Sequence, residues 1–138
     1  MCGIAGTYAP ANSRDRAPDV ASRAVISRMA GAIAHRGPDA DGFLLDGPVA
    51  MANRRLAIVD LSVAGRQPQF TNDGQIGIVY IGELYNYHTL RSELISRGHR
   101  FASGPDTEVI VHAYEEFGDD CVRHFNGMFA FAIWDRRG

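Results

Sequence analysis

Short apolar runs with turn residues between them restrict much of this chain to antiparallel strand pairing. They are Gly42–Leu45, Val49–Ala52, Leu56–Leu61 and Ile76–Ile81. Each is too short for a buried helix, and their β-branched content suits strands. The connections are mostly brief, whereas a parallel pair needs a crossover of a dozen residues or more. Asn72-Asp73-Gly74 is a turn signal ahead of Ile76, and two further strands are expected at Cys2–Tyr8 and Met128–Trp134.

Helical spacing appears three times. Val25, Ile26, Met29 and Ile33 mark an amphipathic helix over Val20–Ala34, broken by His35-Arg36-Gly37-Pro38-Asp39, with Asp41-Gly42 a second turn signal. Leu90, Leu94 and Ile95 mark a second helix, capped by Asn86 and ended by Gly98. A third runs from Thr107 to Phe117, with Asp106 as its cap and Gly118 at its end. Pro10–Pro18 is polar and proline-flanked and reads as a loop, and a short helical piece is expected around Val122.

With 138 residues, 46% of them hydrophobic, the chain is the size of one domain spanning residues 1–138. Its end points to something longer. A strong apolar strand runs into the turn Asp135-Arg136-Arg137-Gly138 with no return strand, which leaves an unpaired apolar edge. The chain is therefore expected to be a piece of a larger protein.

The formal net charge of −2 gives no reason to expect nucleic acid or an anionic membrane as partner. All 14 basic residues are arginines, so a phosphate-loop lysine and a Schiff-base lysine are excluded within this chain. Cys2 and Cys121 are far apart and read as free thiols of a reducing compartment, the cytoplasm. No apolar run is long enough to span a bilayer, and the N-terminus lacks the pattern of a signal peptide. His35, His88, His99, His112 and His124 show no metal-ligand spacing and are expected to be surface or structural residues.

Met1-Cys2-Gly3 carries the first chemical signal. Removal of the initiator Met would leave Cys2 with a free α-amine, which titrates near pH ~8 and can take the proton of the thiol. One residue then supplies both nucleophile and base. Arg54-Arg55-Leu56 opens the expected Leu56 strand, where an arginine either grips a carboxylate bidentately or is a solvated strand-end charge. Gly82-Glu83 follows the Ile76 strand, and its glycine either offers an N–H to an oxyanion or simply makes a bulge.

Taken in order, these segments resemble one family. MCGIAG at the N-terminus, HRGPDADG at 35–42, RRLAIVDLS at 54–62 with Gln67-Pro68, GELYNY at 82–87, DTEVI at 106–110 and GMFAFAIWD at 127–135 are similar to the N-terminal glutaminase domain of glutamine-hydrolysing asparagine synthetases. That domain is a class II glutamine amidotransferase with an N-terminal nucleophile. The resemblance covers nearly the whole chain and corresponds to about the first two thirds of the domain.

The resemblance implies an α+β fold of the N-terminal nucleophile type, a four-layer αββα sandwich left incomplete at the C-terminus. It implies that Cys2 attacks the side-chain amide carbon of L-glutamine and that Gly82 donates a backbone N–H to the oxyanion. Arg55 would bind the α-carboxylate, with the backbone of Ile58 and Val59 nearby, and Glu83 and Asp106 would hold the α-ammonium. No cofactor is implied for this chain. ATP and Mg belong to a covalently linked synthetase domain that amidates aspartate, and a homodimer is a further implication.

Three positions depart from the family pattern. Ile81 stands where an asparagine would supply a second oxyanion donor, Asn53 where a histidine is usual, and Pro105 where a small polar residue precedes Asp106. Ile81 opens an alternative: a weakened or non-catalytic glutaminase-like domain with a structural or regulatory role. A sibling amidotransferase of purine or glucosamine synthesis is the remaining reading.

Overall fold

The structure, a computed structural model, describes residues 2–9, 19–57 and 65–138. It divides into two compact units, one ending at Pro68 and the other starting at Gln69. The expected loop at Pro10–Pro18 lies outside the described residues, as do Ile58 and Val59.

The first unit holds β1 (Gly3–Tyr8), α1 (Asp19–Ala32), a 3-10 turn at Ala34–Arg36, β2 (Ala40–Asp46) and β3 (Val49–Arg55). The strands form an antiparallel sheet in the order β1-β3-β2, with Ala52 facing Ala5 on one side and Phe43 on the other. Ile26 and Ala30 of α1 pack on Ala50 and Ala52 of β3, bordered by Met29, Phe43 and Leu45. The buried stripe of α1 is therefore narrower than its apolar residues suggest. Val25 is 43% exposed, because one residue along a helix turns the side chain by about 100° and carries it off the sheet.

The second unit holds β4 (Gln69–Phe70), β5 (Ile76–Leu84), α2 (Tyr87–Ser96), α3 (Asp106–Phe117), a 3-10 stretch at Gly118–His124 and β6 (Gly127–Asp135). Its sheet is antiparallel in the order β4-β5-β6. Alternate residues of β5 (Ile76, Ile78, Tyr80 and Leu84) meet Leu90 and Leu94 of α2 and Val109 to Val111 of α3. Ile95, expected on the buried face of α2, is 53% exposed for the same reason as Val25.

Three expectations need correction. Arg54 and Arg55 close β3 instead of opening a strand, and Leu56 and Ala57 are not in a strand at all. β5 does not stop at Ile81 but carries Gly82 and Glu83 within it as far as Leu84. Asn86 and Asp106 do not cap helices through their side chains. The Asn86 amide donates to the His124 carbonyl at 2.9 Å and accepts the Asn126 N–H at 3.0 Å. Pro105, in extended conformation, occupies the N-cap position of α3, and Asp106 is the first helical residue.

Two helix-backed antiparallel sheets give the α+β class expected from the resemblance. In the first unit, Gly42 shows how tightly the backbone is packed. A Cβ there would stand 1.8 Å from the Gln67 carbonyl oxygen, and backbone cannot yield as a flexible side chain can. Gly47 is the contrast: it sits in a left-handed turn at φ 52° with open space around it. Gly42→Ala should therefore cost about 3 kcal/mol of stability by overpacking. Gly47→Ala should cost only about 1–2 kcal/mol of backbone strain. Denaturant melts of the two variants check the order.

Candidate active site

In the first unit, Cys2 directly precedes β1, whose Gly3 faces Arg54 in the register. Extending that antiparallel register by one position brings Cys2 opposite Arg55, a separation of about 5 Å between Cα atoms. The thiol is fixed by the chain just past β3. The Leu56 N–H donates to Cys2 Sγ at 3.3 Å, and the thiol in turn points to the Leu56 carbonyl at 3.8 Å. The Arg36 Nε donates to the Cys2 carbonyl at 3.2 Å.

The HRGPDADG segment builds the rest of this corner. Gly37 lies so close to β3 that a Cβ would meet the Arg54 carbonyl carbon and oxygen at 2.4 Å. Arg54 Nε donates to the Gly37 carbonyl at 3.0 Å, and its guanidinium pairs with Asp41 at 3.0 Å. Asp39 donates its N–H to the Arg55 carbonyl at 3.1 Å and accepts the Ala57 N–H on its carboxylate at 2.8 Å. Arg54 is thus occupied by its own neighbourhood, while Arg55 sits on the opposite face of β3 by strand alternation. Asn53, a departure from the family pattern, is buried within β3 at 2% exposure.

The second unit brings together Gly82, Glu83 and Asp106. Gly82 has φ 135°, a conformation side chains rarely adopt, and a Cβ would meet the Met128 carbonyl oxygen of β6 at 2.1 Å. Only glycine fits. Glu83 is exposed at the same strand end. Asp106 accepts the Tyr80 hydroxyl at 2.7 Å and the Leu84 N–H at 3.1 Å, both on Oδ2. Burial and then the Asp106 carboxylate push the Tyr80 phenol far above its usual range, so it stays a donor. Ile81, partly buried, lies on the face of β5 away from Tyr80 and ends in methyl groups with nothing to donate.

Sequence reasoning missed Tyr80. It sits in an apolar run with nothing local to signal a polar task, and its partner is 26 residues away. The second thiol is no competitor to Cys2. Cys121 is 1% exposed, and burial pushes it up to about 11, away from the thiolate form at neutral pH.

Comparison with known proteins decides the family. The model of the "Glutamine amidotransferase domain" family matches residues 1–138. This chain belongs to that family. It is 42% identical over 139 residues to asparagine synthetase [glutamine-hydrolyzing] 3 of Bacillus subtilis (strain 168), covering 99% of this chain and 22% of the relative. It is 43% identical over 136 residues to asparagine synthetase [glutamine-hydrolyzing] 2 of the same organism, covering 99% and 17%. A plant relative, asparagine synthetase [glutamine-hydrolyzing] 1 of Arabidopsis thaliana, is 36% identical over 137 residues, covering 99% and 22%. This amidotransferase domain thus spans about a fifth of the length of the curated relatives it matches.

Among solved structures, the allosteric regulatory enzyme of purine biosynthesis shares the fold at TM-score 0.58 and 24% identity, over 67% of this chain and 22% of that one. Glutamine phosphoribosylpyrophosphate amidotransferase from B. subtilis, complexed with ADP and GMP, does so at TM-score 0.55 and 24% identity, with the same coverage of 67% and 22%. These likenesses carry the amidotransferase fold, and the two helix-backed sheets are what an incomplete αββα sandwich requires of each half.

The hold on Asp106 can be tested by stability alone. Asp106→Ala leaves the Tyr80 hydroxyl and the Leu84 N–H without their acceptor, at about 1–3 kcal/mol for each buried donor. Asp106→Asn keeps an acceptor oxygen and should lose less than half as much. Urea unfolding midpoints of the two variants against wild type measure the difference.

Proposed function

We propose that this chain is the glutaminase half of a glutamine-hydrolysing asparagine synthetase. The observation that carries the reading is the placement of Cys2. In an amidotransferase domain, its sulfur is held against the Leu56 N–H just past β3, and the β1–β3 register extended by one residue puts Cys2 opposite Arg55.

The chemistry follows from that placement. The freed α-amine of Cys2 takes the thiol proton, and the sulfur adds to the side-chain amide carbon of L-glutamine. The Gly82 backbone steadies the oxyanion. Collapse of the adduct expels ammonia, with the proton returned to the leaving nitrogen, and a thioester remains. Water then adds to the thioester carbon and releases glutamate and the thiol. Arg55 takes the α-carboxylate, alongside the backbone of Ile58 and Val59, and Glu83 with Asp106 takes the α-ammonium. Asp106 suits this task because both of its bonds to the fold use Oδ2.

Ammonia then serves a covalently linked synthetase domain, where ATP and Mg activate aspartate. None of that chemistry falls to this chain, which has no lysine for a phosphate loop. No helix among the described residues is long and apolar enough to cross a membrane. The two free thiols support a reducing compartment, the cytoplasm. A homodimer of the whole protein remains part of the proposal.

Ile81 favours a second reading, a domain whose glutaminase is slowed or lost. Loss of one oxyanion donor costs roughly 10²–10³ in rate. Ile81→Asn in the full-length protein should therefore raise glutamine hydrolysis by an order of magnitude or more, and Cys2→Ala should abolish it in either background. An unchanged turnover in Ile81→Asn would place Ile81 away from the oxyanion. Absence of hydrolysis in both proteins would favour the non-catalytic reading.

A further inference from the structure

The histidines carry no ligand spacing in the sequence, yet the fold gathers two of them with a carboxylate. His112 and Glu115 lie one turn apart on α3, and His99 reaches them from the segment after α2. His99 Nδ1 and His112 Nδ1 are 3.3 Å apart. Glu115 Oε2 is 3.1 Å from His112 Nδ1 and 3.4 Å from His99 Nδ1. Three potential ligand atoms thus form a nearly equilateral triangle.

The size of that triangle is compatible with a shared metal ion. Bonds of about 2.0–2.1 Å at tetrahedral angles separate neighbouring ligand atoms by about 3.3–3.4 Å. The same bonds at right angles would separate them by about 2.9 Å. Two of the three observed edges, 3.3 and 3.4 Å, match the tetrahedral value, and the third, 3.1 Å, falls between the two. We propose that His99, His112 and Glu115 bind one divalent first-row transition ion, with zinc the best fit, through two imidazole Nδ1 atoms and one carboxylate oxygen.

The surroundings agree with this set of ligands. His99 Nε2 lies 2.9 Å from Glu116 Oε2, and an ionised carboxylate only accepts, so in the neutral ring Nε2 carries the proton and Nδ1 keeps its lone pair. A carboxylate behind a histidine is the usual support of a metal ligand. His112 has Glu108 at 3.7 Å from its Nε2, and Glu108 is itself fixed by the Ala102 N–H at 2.6 Å and by the Ser103 N–H and hydroxyl. In the neutral ring, a metal at Nδ1 places the His112 proton on Nε2, the nitrogen that faces Glu108.

Charge and access fit as well. The three residues line an open cleft of about 370 Å³ with Asn72, Arg97 and Arg100, which leaves room for a fourth ligand such as water. Arg97 is neutralised by Glu93 at 3.0 Å and Glu116 at 3.1 Å. Imidazole with one carboxylate suits zinc over magnesium or calcium, which prefer oxygen ligands throughout.

Equilibrium dialysis of the full-length protein against Zn²⁺ at neutral pH, followed by metal analysis, is the test. The expected result is an ion at this site whose affinity falls at least tenfold in His99→Gln and in Glu115→Gln but not in Cys2→Ala. Glu115 is partly exposed at 31%, so its variant serves even where the histidine variant fails to fold. Co²⁺ in place of zinc should give tetrahedral ligand-field bands that disappear in Glu115→Gln, without thiolate charge transfer. Zinc binding unaltered in folded Glu115→Gln, or no zinc retained at all, would overturn the proposal and leave the triangle a proton-sharing cross-link.

Discussion

Gly37 approaches the end of β3 more closely than any side chain would permit, and the position of Cys2 depends on that approach. A Cβ at Gly37 would lie 2.4 Å from the Arg54 carbonyl and 2.6 Å from the Arg55 nitrogen. Because the backbones touch, Arg54 Nε reaches the Gly37 carbonyl and the Asp39 N–H reaches the Arg55 carbonyl. Asp39 then holds Ala57, Leu56 holds the Cys2 sulfur, and Arg36 holds the Cys2 carbonyl. An unbroken series of fixed groups thus runs from the turn to the thiol. The proposed attack at a carbonyl tolerates little misplacement, so a rigid corner would be worth more to that chemistry than another ion pair.

The second unit solves a similar problem with different parts. Gly82 is required twice over, by its positive φ and by the Met128 carbonyl that occupies the space of a side chain. Asp106 opens α3 but spends one oxygen on Tyr80 and Leu84 of β5, tying helix to strand beside Glu83. The carboxylate is thereby oriented by the core it helps to build. Ile81, one residue before Gly82, adds packing area to the strand and no donor. In the proposed role of Gly82 as an oxyanion donor, Ile81 is the one expected group that is exchanged.

Periodicity and turn chemistry made most elements legible. β1, β6, α2 and α3 lie within about two residues of where apolar spacing and glycines put them. Errors arose where local pattern and tertiary packing disagree. Arg54 and Arg55 read as the start of a strand because an apolar run follows them, but pairing with β1 and β2 ends there. Val25 and Ile95 are apolar and still exposed, because a single sheet contacts only a narrow stripe of a helix.

The functional site was readable to a different depth. Motif order singles out Cys2 and Arg55, and the β1–β3 register, extended by one residue beyond Gly3 and Arg54, relates them. Tyr80 and the triangle of His99, His112 and Glu115 were not readable, since each joins residues from separate elements without a repeating interval. Long-range polar contacts leave no trace in hydrophobic periodicity, which is why motif order singles out Cys2 while Tyr80 and the triangle emerge only from the fold.

The central claim is that Cys2, with its own amine free, forms the covalent intermediate. Acid quench of the full-length protein during turnover with glutamine, followed by peptide mass analysis, tests it directly. The expected result is a γ-glutamyl thioester on the Cys2 peptide, with Met1 absent from that peptide. Glutamate formation with Met1 retained, or with the adduct on Cys121, would contradict it.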